Sequence, residues 1–146
     1  LYQKLKEYLP DTEVVFAKGI NCAGTELGGM EEAVRAAADA DVVLLTLGGK
    51  NGWGSTSTVG EGVDATDIDL PGAQEEFARK IYGLHKKTVV LHYDGRRSVQ
   101  IAFRRGESVW ASSGHCGKKC RTASDLLWPS ERKRLCCSWA HRNDSE

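Results

Sequence analysis

The fold turns on Asp41–Gly48, "DVVLLTLG". Its apolar residues follow one another without alternation, so a strand made from them must be covered on both faces. That is the habit of a central strand in a parallel sheet. Upstream, "MEEAVRAAADA" places Met30, Ala33, Val34, Ala37 and Ala38 on one helical stripe, with Glu31 and Glu32 at the positive end of the helix dipole. Before it, "TEVVFAKG" reads as a short buried strand. The opening "LYQKLKEYLP" sets Leu1, Leu5, Tyr8 and Leu9 on one face of a helix that Pro10 stops. Downstream, a further helix carries Ala73, Phe77, Ile81 and Leu84, with Pro71 suited to its first position and Lys86 and Lys87 to its end. "KTVVLHYDG" is the next strand. Strands alternating with helices predict an α/β fold, a three-layer sandwich with a mainly parallel sheet. The expected domain is a partial one, followed by an irregular tail.

A length of 146 residues gives room for one domain, and 40% apolar and 27% charged residues are ordinary for a globular chain. A formal net charge of zero argues against a nucleic-acid partner, and no stretch has the length of a membrane span. The chain begins at Leu1, inside a helical pattern and without Met, so the expectation is a fragment. The averages hide a division. Residues 1–96 hold 10 Lys/Arg and 15 Asp/Glu, and residues 97–146 hold 10 and 5. Four of the five cysteines, Cys116, Cys120, Cys136 and Cys137, lie in the second part.

Between "DVVLLTLG" and the following helix stand more than twenty residues, "GKNGWGSTSTVGEGVDATDIDLPG". Loops of that length inside a compact domain are usually functional. This one leaves the carboxyl end of a parallel strand, where such sheets build their sites. A phosphate loop would need its glycines, Lys and Ser/Thr to run directly into a helix. Here Lys50 has the wrong neighbours and the helix is about twenty residues away. Asp64, Asp67 and Asp69 cluster, but not with the alternating order of a calcium loop. Asp69 reads as a cap before Pro71. Glu61, between Gly60 and Gly62, stands where the backbone can approach a ligand closely. It is either a general acid whose surroundings raise its pKa or a solvated surface carboxylate. Trp53 is either a platform for a sugar ring or an anchor tucked against the sheet.

Three segments, "DADVVLLTLGGKNGW", "GEGVDATDIDLPGAQEEFARKI" and "KTVVLHYDGR", resemble the C-terminal α/β sandwich domain of glycoside hydrolase family 3. That family includes β-glucosidases, β-xylosidases and β-N-acetylglucosaminidases. The shared pattern is E-G-x-D-x-x-x-[IL]-x-L-P-x-x-Q, then a helix and a V-V-x-x-x-x-G-[RK] strand. The resemblance covers residues 1–96, about two thirds of the chain, and implies a retaining β-glycosidase that hydrolyses O-glycosyl bonds. Its nucleophile would be an aspartate on an N-terminal barrel, its acid/base a glutamate on a C-domain loop, and its substrate an oligosaccharide or β-glycoside. Glu61 matches that glutamate, and Asp64 and Trp53 become sugar contacts. Retention needs two carboxyl groups about 5–5.5 Å apart, and nothing requires both to come from one domain. Ala65 stands where the family often has Arg. A barrel takes about 250 residues, so this chain lacks that partner domain and is expected to be inactive alone. No cofactor or metal is expected. The alternative function is a non-catalytic α/β module binding phosphate or a nucleotide.

Residues 97–146 lack the family's next motifs: Arg97 follows "DGR" where Pro is usual, and no P-G-Q-x-G-G turn appears. One reading is a change of reading frame near Arg96, leaving a tail without family resemblance, disordered or irregular. Within it "SVQIAF" suits a strand and "ASDLLWPSERKRLCCSW" a short helix. The other reading is a zinc site from Cys116, Cys120, Cys136 or Cys137, and His141, at irregular spacing.

Overall fold

The computed structural model describes residues 1–23, 27–50, 52, 57–58, 69–93, 108–112 and 134–141, with 108–112 and 138–141 described by backbone alone. In chain order the elements are α1 (Tyr2–Tyr8), β1 (Glu13–Asn21), α2 (Met30–Ala38), β2 (Val42–Gly48), α3 (Gln74–Tyr82), β3 (Lys87–Tyr93), β4 (Ser108–Ser112) and β5 (Arg134–His141). The five strands form one sheet in the order β1-β5-β2-β3-β4, and every pairing is parallel. The expected α/β sandwich is what the chain forms.

All seven residues of β2 are buried, as its unbroken apolar run requires. Its side chains divide between two clusters on opposite faces of the sheet. Val43, Leu45 and Leu47 join Met30, Ala33 and Ala37 of α2 and Phe77, Ala78 and Ile81 of α3. Val42 and Leu44 join Val14 on the other face, where Tyr2, Leu5 and Leu9 of the first helical segment pack. This period-two division makes the three layers. Fully burying a side chain such as Phe77 stabilises by about 1.5–3 kcal/mol.

The helical stripes differ from expectation at two places. Tyr8 is 81% exposed, and Tyr2 takes its place beside Leu5 and Leu9. The ring of Tyr2 lies 5.7 Å from that of Phe16, which draws the helix face toward β1. In α2, Ala38 is exposed while Ala36 and Ala40 pack on the core. The helix ends at Ala38, so Ala40 reaches the core from a turn and not by helical spacing.

In β1 the register shifts between Lys18 and Ile20. One extra residue exchanges the faces of a strand. Val14 lies on the α1 side, whereas Ala17 and Ile20, three apart, both reach the α2/α3 cluster.

Two strands from beyond Arg96 join the sheet, and β5 lies inside it. Cys136 is opposite Val15 on one side and Val43 on the other. Residues 134–139, expected as part of a helix, are therefore a strand. Leu135, Cys136 and Cys137 are consecutive and all buried, which a helix with one buried stripe would not allow. Asp41 secures the start of β5: its Oδ2 accepts from Arg134 N at 2.9 Å, and its own N–H donates to Arg134 O at 3.0 Å. The "SVQIAF" segment lies outside the described residues.

Candidate functional site

The long loop begins at Gly48, the last residue of β2, and ends where α3 starts at Gln74. These two residues are bound to each other. Gly48 N–H donates to Gln74 Oε1 at 2.8 Å, and Gln74 Nε2 donates to Gly48 O at 2.7 Å. Nε2 also donates to Cys22 O at 3.0 Å, just past the end of β1. The Cys22 thiol donates to Gly48 O at 3.2 Å. One carboxamide thus joins the exits of β1 and β2 to the start of α3. Gln74 is 0% exposed, so its polar atoms must find such partners within the protein.

Gly48 has φ +139°, and a Cβ there would lie 1.7 Å from Tyr93 O. The backbone of β3 occupies the space a side chain would take, so only glycine fits. Gly49 N–H then donates to Tyr93 O at 3.0 Å, carrying the loop along the end of β3. Two bonds close its first part: Lys50 N–H to Thr58 Oγ1 at 2.7 Å, and Thr58 N–H to Lys50 O at 2.9 Å. At the far end Leu70 packs on the α2/α3 cluster. Pro71 does not start the helix as expected. Gly72, with φ +60°, interposes a left-handed residue, and Ala73 is the N-cap in place of Asp69. The loop stem is therefore fixed at both ends and lies at the carboxyl end of the sheet.

At the same end, a groove of about 630 Å³ opens beside β1, bordered by Lys18, Asn21, Leu27 and Glu32. Glu61, Trp53 and Asp64 lie outside the described residues. Of the candidate zinc ligands, Cys116 and Cys120 also lie outside them. Cys136 and Cys137 belong to clusters on opposite faces of the sheet. Burial pushes each of these thiols up to about 11. Among the described residues no three His, Cys, Asp or Glu side chains are grouped to hold a metal. No helix among them is long and apolar enough to cross a membrane.

Gln74 closes the L-P-x-x-Q pattern, and nothing in that pattern discloses its role. It left a signal. With Phe77, Ala78 and Ile81 it occupies one helical stripe, at i, i+3, i+4 and i+7. A polar residue on an otherwise apolar stripe needs buried partners.

The description "Glycosyl hydrolase family 3 C-terminal domain" matches residues 1–111, through β4 and past Arg96. The chain belongs to this family. It is 33% identical over 96 residues, 66% of its length, to a β-xylosidase of Formosa agariphila. It is 30% identical over 101 residues, 69% of its length, to a probable exo-1,4-β-xylosidase of Aspergillus terreus. With a β-glucosidase of Rhizobium radiobacter it shares 33% identity over 85 residues. The matched region is 12%, 12% and 10% of those proteins respectively, so this family 3 domain corresponds to a small part of each relative.

Proposed function

We propose that this domain serves a retaining β-glycosidase by carrying the general acid/base, Glu61, on the loop between β2 and α3. The supporting observation is the closed stem. The Gln74–Gly48 pair holds both ends of a long loop at the carboxyl end of a parallel sheet, in a domain of a glycoside hydrolase family. The substrate is a β-glycoside or oligosaccharide, with Trp53 and Asp64 as sugar contacts. A barrel domain supplies the nucleophile. In the first step Glu61 protonates the departing glycosidic oxygen while the nucleophile attacks the anomeric carbon. In the second, its carboxylate takes a proton from the water that hydrolyses the glycosyl-enzyme.

The test uses Glu61→Ala in a full-length protein carrying this domain. General acid help is worth about 10²–10⁴-fold, so poor leaving groups should lose that much in the first step, and activated aryl glycosides far less. Covalent intermediate should accumulate, and azide, which needs no base, should restore turnover as a β-glycosyl azide. Equal slowing of both substrate types without azide rescue would refute the assignment.

A further inference from the structure

Gln74 makes a stronger arrangement than a helix start requires. Its side chain is fully buried, accepts one hydrogen bond and donates two, and its three partners belong to backbone at the exits of two different strands. Gly48, which it grips from both sides, already has its conformation dictated by Tyr93 of β3. The direction in which the chain leaves β2 is thereby held by α3, β1 and β3 together. We infer that Gln74 is a positioning residue for the loop. Its carboxamide sets the stem from which the acid/base is presented, and this rests on the reading of Glu61 above.

The amide chemistry makes the inference testable with an isosteric change. In Gln74→Glu the carboxylate still accepts from Gly48 N–H, but it faces Gly48 O and Cys22 O with no proton to donate. Protonation returns one donor. Burial and two facing carbonyl oxygens both favour the neutral form, so the carboxyl pKa rises. Of the charged groups on the helices that meet here, α3 carries Glu75, Glu76, Arg79 and Lys80, and α2 carries Glu31, Glu32 and Arg35. Arg79 pairs with Glu75, and Lys80 pairs with Glu31 and Glu76. The exits of β1 and β2 contribute backbone and the Cys22 thiol, 3.9 Å from Gln74 Nε2, while Lys18 borders the groove beside β1 and Lys50 follows Gly49 in the loop. The variant's clamp should hold at acid pH and loosen as pH rises.

Two measurements test this. In the 146-residue chain, amide exchange at Gly48 and Gly49 should quicken at least tenfold more in Gln74→Ala than exchange at Val43, in the middle of the sheet. In Gln74→Glu the same excess should appear above the raised pKa and shrink below it. In a full-length protein carrying the domain, Gln74→Glu should lower kcat for poor leaving groups about tenfold at neutral pH. KM should change little, activated aryl glycosides should lose less, and acid pH should narrow the difference. Parallel acceleration at Gly48 and Val43, or equal slowing of both substrate types at every pH, would reduce Gln74 to a stabilising residue and overturn the inference. Should Gln74→Glu alter leaving-group dependence while Glu61→Ala does not, the clamp stands and the acid/base assignment falls.

Discussion

Ending the chain after residue 133 removes β5 and should abolish cooperative folding. β5 has eight register pairs with β1 and five with β2, so its loss separates β1 from the remaining sheet. A hydrogen bond contributes about 1 kcal/mol net, so counting about one bond for every two of these register pairs, a low count, gives a cost of about 6 kcal/mol. Leu135, buried at 4% exposure, adds about 2 kcal/mol. Together these approach the whole stability of an ordinary domain, about 5–15 kcal/mol. Cys136 and Cys137 add to the loss, since each fills a different core cluster. Urea titration followed by far-ultraviolet circular dichroism is the assay. The intact chain should unfold in one transition, and the shortened chain should show none, or a broad slope with association through its bared strand edges. A chain ending at residue 133 that unfolds cooperatively within about 1 kcal/mol of the intact one would refute the reasoning. β1 would then have to pair with β2 directly.

Gly48→Ala should cost about 3 kcal/mol or more, from a backbone region closed to alanine and from the displacement of Tyr93; a loss under about 1 kcal/mol in the same titration would show that the β2 exit adapts. The Cys136 and Cys137 thiols, raised by burial from 9.0 to about 11, should give a stability contribution intact below about pH 9. It should fade as pH climbs toward about 11, because the unfolded chain releases these protons first. Thermal melts across that range should fall less steeply in a Cys136→Ala, Cys137→Ala double variant. Rapid labelling of both thiols by a disulfide reagent in the folded chain near pH 8 would contradict their burial.

Much of the architecture was legible because local period and burial agree. "DVVLLTLG" is apolar without alternation, and a strand buried on both faces needs that. Phe77 and Ile81 recur at helical spacing because α3 buries one stripe. The family motif and the placement of the loop at a strand's carboxyl end were equally readable, since both depend on residue order along one stretch. Three features were decided only by tertiary structure. Residues 134–139 became a strand because β1 and β2 pair with both of its edges while the two face clusters take Cys136 on one side and Leu135 and Cys137 on the other, and no local pattern announces such a slot. Tyr2 displaced Tyr8 from the packed face because Phe16, on another element, offered it a ring. Gln74 gained its role because Gly48 and Cys22, each 26 residues or more away in sequence, bring their carbonyls to it. A hydrogen bond between distant segments exists only after the sheet has assembled them. The sequence alone could show a polar residue on an apolar stripe, and only the fold could supply its partners.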